Sequence, residues 1–194
     1  MNKNRIKVAA ILGKTGSGKD SIYKAIEESD LIHKVISTTT RPMREYEQQD
    51  VDYHFVDRYD FLREDNLDHF IDTSIFNGWY YGTNYDDLDP SKINVLISDN
   101  VRVFDLLIDD RIDTLILLVD ATGKERLLRC LTREENPDVD EIVRRYSDEI
   151  DEYDGRDFKL INRYIKPVVE IPNHDGGFED AVKLALDAIE NWAK

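Results

Sequence analysis

Apolar positions along this chain follow two rhythms. Short, nearly unbroken apolar runs at Ile6–Leu12, Asn94–Ser98, Thr114–Val119 and Val168–Ile171 read as strands buried on both faces. Between them, apolar residues recur at helical spacing. These stretches predict helices over Lys19–Glu28, Val101–Asp109, Lys124–Thr132, Val139–Tyr153 and Phe178–Ala193. The face of the first carries Ile22, Ala25 and Ile26. In the second, Val103, Leu106 and Leu107 point inward. The last is amphipathic through Phe178, Val182, Ala185, Ile189 and Trp192. Asn136-Pro137 separates the third from the fourth. Such alternation predicts an α/β fold: a parallel sheet flanked by helices on both faces.

The rhythm changes between residues 34 and 90. Short strands are expected at Lys34–Ser37 and Tyr53–Val56, a short helix at Tyr59–Asn66, and an extended segment at His69–Phe76. That segment ends at Asn77-Gly78, a hairpin signal. We read residues 34–90 as a small α+β lobe inserted into a core made of residues 1–33 and 91–194. No repeat or low-complexity tract interrupts either part.

The first apolar run leads directly into Gly13-Lys14-Thr15-Gly16-Ser17-Gly18-Lys19. A strand, a glycine-rich turn and a helix start in that order leave backbone N–H groups converging on one point, where the helix end adds partial positive charge. Lys19 adds a full charge. The spacing matches the phosphate-cradling loop G-x-x-x-x-G-K-[ST], with Asp20 where a hydroxyl residue is usual. Candidate phosphate-binding residues are therefore Gly13, Thr15, Gly16, Ser17, Gly18, Lys19, Asp20 and Ser21. Asp20 has two readings: an oxygen ligand for Mg²⁺, or an acidic residue favoured in a first helical turn.

Charge changes the picture of the partner. The chain of 194 residues has 41 acidic against 26 basic residues and a net charge of −15. That balance argues against nucleic acid as the main partner. It also requires the anion site to be a local cationic island, so the arginines matter by position. No run reaches membrane-spanning length, and the N-terminal apolar run is shorter than a secretory leader needs. The single cysteine, Cys130, excludes an internal disulfide and suits a reducing compartment such as the cytoplasm. In its apolar-rich helical setting it reads as a structural thiol.

The residues 34–90 carry two further motifs. Ser37, Thr39, Thr40, Arg41, Arg44, Glu47, Tyr53 and Phe55 match S-x-[ST]-T-R-x-x-R-x-x-E…Y-x-F. Phe70, Ile71, Gly78, Tyr80, Tyr81, Gly82 and Thr83 match F-[IL]-E…G-x-Y-Y-G-[ST], with Asp72 at the acidic position. Following a phosphate loop in this order, they make the chain resemble the guanylate kinase family, from the loop to about Asn173. On the residues alone, Arg41 and Arg44 offer guanidinium forks suited to one phosphate, and Tyr53 and Tyr81 add phenolic donors. The resemblance implies that Ser37, Asp72 and Thr83 face the guanine edge and that Glu47 orients the arginines. The family carries Glu where this chain has Asp72, one methylene shorter. The base then shifts, a water bridges, or a different base is preferred.

The resemblance also implies a P-loop NTPase-type core with a helical lid over residues 126–150. Lid arginines fall at Arg129, Arg133 and Arg145, with Arg144 as the alternative to Arg145, and Asn173 lies near the donor adenine. The plain alternative for Arg129 is a solvated helix charge paired with Glu125. Asp99 and Asp20 are the expected Mg²⁺ supports, since Ile97 stands where the family has another acid. The expected reaction is ATP + GMP (or dGMP) to ADP + GDP (or dGDP), by in-line phosphoryl transfer. Lys19, Arg41, Arg129, Arg133 and Arg145 would act on the transferring group. Two alternatives stay open: a related kinase for another monophosphate, and a non-catalytic binding module. A GTP-driven switch is disfavoured, because no Asn-Lys-x-Asp motif is present.

Overall fold

The computed structural model describes residues 5–26, 29–43, 47–65, 68–76, 78–98, 102–133, 135–153 and 168–194. In chain order its elements are β1 (Ile6–Leu12), α1 (Lys19–Ile26), β2 (Ile32–Lys34), β3 (Thr38–Thr39), β4 (His54–Phe55), α2 (Arg58–Asp65), β5 (Phe70–Phe76) and β6 (Trp79–Asn84). After a short 3₁₀ turn follow β7 (Ile93–Ile97), α3 (Arg102–Ile108), β8 (Ile112–Asp120), α4 (Gly123–Thr132), α5 (Val139–Tyr153), β9 (Val168–Pro172) and α6 (Phe178–Ala193).

Five strands form one sheet in the order β2-β7-β1-β8-β9, every neighbouring pair parallel. β1 lies at its centre, and its alternating side chains explain the layering. Ala9 and Ile11 face one side with Ile22 and Ile26 of α1 and Ala181, Ala185 and Ile189 of α6. Val8, Ala10 and Leu12 face the other side with Val103 and Leu106 of α3. A strand apolar on both faces is stable only when both faces are covered, which the helices accomplish. Cys130 is buried on α4, and burial raises its thiol pKa, as suits a structural side chain.

A second sheet, β4-β3-β6-β5, is built between β2 and β7. β5 and β6 pair as an antiparallel hairpin closed by Phe76↔Trp79, with Gly78 at φ 76° in the turn. That is the turn the Asn77-Gly78 signal predicts. Gly82 in β6 has a packing cause: a Cβ there would meet Phe70 Cδ1 at 2.9 Å and Phe61 Cζ at 3.1 Å. Phe61 and Phe70 stack beneath it with centroids 4.6 Å apart.

One local expectation shifts. The strand expected at Lys34–Ser37 ends at Lys34, because the chain then leaves the core sheet and Thr38–Thr39 joins the second sheet. The Ser-Thr-Thr-Thr stretch, polar by composition, supplies that short strand: Thr38 and Thr39 pair with both His54–Phe55 and Tyr81–Gly82. Among the described residues, no helix is long and apolar enough to cross a membrane.

Candidate active site

The carboxyl ends of the core strands gather the predicted nucleotide residues. The turn after β1 is shaped by three glycines with separate causes. A Cβ at Gly13 would lie 2.6 Å from both Ser17 Oγ and Val119 O. One at Gly16, φ 77°, would lie 2.5 Å from Arg126 O, and one at Gly18, φ 92°, 2.3 Å from Asn173 Nδ2. Side chains are excluded from the loop from both directions, and positive φ adds its own penalty for L-residues. Ser17 N–H donates to Lys14 O at 3.0 Å, tightening the turn. Ser17 Oγ is fully buried and has no hydrogen-bond partner among the described residues. The loop then opens α1, whose first-turn amides have no intrahelical acceptor. This is a cradle for an anion, with Lys19 at its mouth and Asp20 exposed beside it; their charged atoms are 3.9 Å apart.

Arg129 and Asn173 brace this loop. Asn173, after β9, donates from Nδ2 to Ser17 O at 2.7 Å. Arg129 of α4 donates to Ser17 O at 3.3 Å and, from Nη2, to Asn173 O at 2.9 Å and Asp175 Oδ1 at 3.0 Å. It does not pair with Glu125. That carboxylate instead closes a capping box with Thr122 at the start of α4 and accepts from Asp175 N–H at 2.8 Å. These bonds, the Thr122 hydroxyl first, hold the Glu125 carboxyl well below the usual range.

Sequence reasoning missed a second brace. Glu149 of α5 accepts from the Thr15 N–H, while Arg126 Nη1 donates to Glu149 Oε2 at 2.9 Å and to Thr15 O at 3.1 Å. Both side chains are about nine-tenths buried. Arg126 also lies over the Tyr146 ring, 4.8 Å from its centroid. Helices α4 and α5 therefore grip the glycine-rich loop by its own backbone.

The remaining candidate arginines lie at the end of α4 and within α5. Arg133 caps the C-terminal end of α4. Arg144 and Arg145 share Glu141, at 2.7 and 2.8 Å, and these bonds lower its carboxyl to about 2.

In the segment after β3, Arg41 forms a bidentate pair with Glu47, Nη1 to Oε2 at 2.7 Å and Nη2 to Oε1 at 2.5 Å. Its guanidinium lies 5.0 Å from the Tyr53 ring centroid and 5.3 Å from that of Phe55. Tyr53 contacts Tyr81 edge-on, with centroids 6.2 Å apart. Burial raises the Tyr53 phenol pKa, and the charges of Arg102, Asp20 and Arg41 all act on it.

Ser37, Asp72 and Thr83, far apart in sequence, meet in one buried cluster. Their meeting point is Arg102 of α3, which sequence reasoning also missed. Its Nη2 donates to Thr83 Oγ1 at 2.6 Å, Asp72 Oδ1 at 2.9 Å and Ser37 Oγ at 3.2 Å. One signal was available: a cation in the first turn of a helix opposes the macrodipole and needs a local partner. Arg44, Asp99 and the segment 156–167 lie outside the described residues.

Comparison with known proteins places the chain in a family. The family model described as guanylate kinase matches residues 5–108. A guanylate kinase of Campylobacter jejuni (strain RM1221) is 28% identical over 173 residues, covering 84% of each chain. One of Legionella pneumophila (strain Paris) is 31% identical over 167 residues, covering 76% of this chain and 74% of that one. The crystal structure of guanylate kinase from Anaplasma phagocytophilum has the same fold, with a TM-score of 0.62, 17% identity, and coverage of 96% of this chain and 86% of that one.

Proposed function

The chain belongs to the guanylate kinase family, and from that premise we propose that it transfers the γ-phosphoryl group of ATP to GMP or dGMP, giving ADP and GDP or dGDP. The observation carrying this reading is a juxtaposition. A glycine-shaped anion cradle stands at the end of β1, and the polar cluster of Ser37, Asp72 and Thr83 is gathered by Arg102 of α3, a helix of the same core.

In this reading Gly13, Thr15, Gly16, Ser17, Gly18, Lys19 and Ser21 hold the donor phosphates, and Asn173 lies near the donor base. Arg41, with Arg44, Tyr53 and Tyr81, holds the acceptor phosphate, and Glu47 fixes the Arg41 fork. Residues 34–90 form the acceptor lobe, 126–150 the lid, and 1–33 with 91–194 the core. The acceptor phosphate is mostly dianionic near neutral pH, its second pKa being about 6, so it attacks without a general base. Catalysis then consists of alignment and charge neutralisation, with Lys19, Arg41, Arg129, Arg133 and Arg145 around the transferring group and water excluded by the lid.

Mg²⁺ keeps several waters and takes one or two carboxylates plus substrate phosphates. Asp20, exposed at the mouth of the cradle, fits that donor set, and Asp99 is the second candidate. Among the described residues, no group of three or more acidic, His or Cys side chains forms a dedicated cage. When bound, the ion neutralises charge on the donor phosphates. The buried, inert Cys130 thiol suits the reducing cytoplasm.

A coupled assay for ADP release with a panel of nucleoside monophosphates tests the proposal. GMP-dependent release is expected; release that no monophosphate stimulates would refute it.

A further inference from the structure

Arg102 belongs to none of the motifs that point to the activity, yet it lies at the centre of the acceptor cluster. Its side chain is 5% exposed and that of Asp72 0%, so the ion pair between them, 2.9 Å long, is withdrawn from water. The same Nη2 holds Thr83 Oγ1 and Ser37 Oγ. The residues come from α3, β5, β6 and the segment before β3, so one guanidinium ties the second sheet to the core.

We propose that Arg102 is a specificity-determining residue: with Asp72 it reads the carbonyl-plus-ring-N–H edge of a 6-oxopurine, O6 beside N1–H, and the 2-amino group contributes little. This rests on the kinase reading given above. A lone carboxylate offers only acceptors, so its best partner is an edge made only of donors, such as guanine N1–H with its 2-amino group. A carboxylate with a guanidinium bound to one oxygen is a different surface. Positive and negative charge stand side by side, and the complementary edge has a carbonyl next to an N–H. Guanine and hypoxanthine share that edge. Adenine presents the reverse, an amino donor beside a ring-nitrogen acceptor, and is repelled at both positions.

Burial strengthens the argument. A carboxylate as deeply buried as Asp72 needs a compensating charge before any base arrives. Arg102 supplies it, so the cluster is organised in advance, and the base binds a neutral pair rather than neutralising an anion. The shortness of Asp72 is matched by the reach of Arg102.

The test compares kcat/KM for GMP, IMP and AMP in the wild-type protein. A 2-amino group read by a charged acceptor would favour GMP over IMP by about 10- to 150-fold. The ion-pair reading expects IMP within about tenfold of GMP, with AMP at least about a hundredfold below both. A GMP preference over IMP beyond tenfold overturns the assignment while leaving the kinase reading intact. Turnover of none of the three overturns the kinase reading itself. Arg102→Lys, which keeps the charge but loses the planar fork, is expected to raise KM for GMP and IMP together by about tenfold, with KM for ATP unchanged. A variant that shifts stability alone and leaves both acceptor KM values unmoved also overturns it. The wild-type comparison stands whether or not the variant folds.

Discussion

Replacing Glu149 with Ala tests the claim that α4, α5 and the glycine-rich loop form one braced unit. The carboxylate is the buried acceptor for Arg126 and for the Thr15 N–H. Removing it strands a guanidinium whose residue is 8% exposed. Breaking a buried ion pair from one side costs about 3–5 kcal/mol. Arg126 keeps its bond to Thr15 O and the Tyr146 ring, so the lower end, about 3 kcal/mol, is expected. Urea unfolding measures it: with a slope of about 2 kcal/mol/M, the midpoint falls by about 1.5 M. The double variant Arg126→Met/Glu149→Leu removes both charges and is expected to recover most of that loss, because two matched apolar groups leave no buried charge. KM for ATP should rise in the single variant, since Thr15 loses its amide anchor. A single-variant loss below about 1 kcal/mol, or a double variant no more stable than the single, would refute the brace.

Three further outcomes follow from the site. Glu47→Gln replaces a bidentate ionic partner of Arg41 with a neutral one and is expected to raise KM for the acceptor about tenfold while KM for ATP stays level; a parallel rise in both would contradict the placement of Arg41. Asp20→Ser restores the usual hydroxyl and is expected to move the Mg²⁺ concentration for half-maximal turnover, whereas an unchanged Mg²⁺ titration would exclude Asp20 as a ligand. Asp109, held chiefly by Arg111 and also by the Tyr85 hydroxyl, has its carboxyl lowered from 3.8 to about 2. Its folded value lies below its unfolded one, so its contribution is complete above about pH 5 and is lost as pH falls toward 2. The urea-midpoint gap between wild type and Asp109→Asn should shrink over that window, and a constant gap would be the contrary result.

The sequence was most legible where the physics is local. The apolar run of β1 and its glycine turn, the break at Pro137, and the full extents of α5 and α6 are written in neighbouring residues. So is the hairpin at Gly78. Ser37, Asp72 and Thr83 were legible only as a resemblance, since nothing local brings three polar residues from separate segments together. Arg102, apart from its place in a first helical turn, and Glu149 were hidden for a related reason. Each looks like an ordinary helix charge, and Glu149 stands among other acids of α5 with no pattern to single it out. Their importance comes from partners up to 134 residues away in sequence, across the phosphate loop. Thr38–Thr39 is too short for any period to reveal, and only its two neighbouring strands make it a strand.

The strong negative charge of the chain and its clustered candidate arginines are reconciled by pairing. Arg41 is held by Glu47, Arg102 by Asp72, Arg126 by Glu149, Arg129 by Asp175, and Arg144 and Arg145 by Glu141. Before substrate arrives, these acids suppress repulsion among the arginines and fix their forks, which reduces the ordering cost of binding. The pairs differ in burial, and burial decides which can exchange. Glu47, Asp72 and Glu149 are each at least nine-tenths buried, so parting them from their arginines leaves a charge in a dry interior. Asp175 is 72% exposed and Glu141 33%, where an ion pair is worth about 0–1 kcal/mol and water readily replaces either partner. In the proposed reaction, then, Arg41, Arg102 and Arg126 serve as fixed framework. Arg129 and Arg145 are the ones free in energy to leave a carboxylate for the transferring phosphate, so lid closure draws on the weak pairs and leaves the strong ones standing.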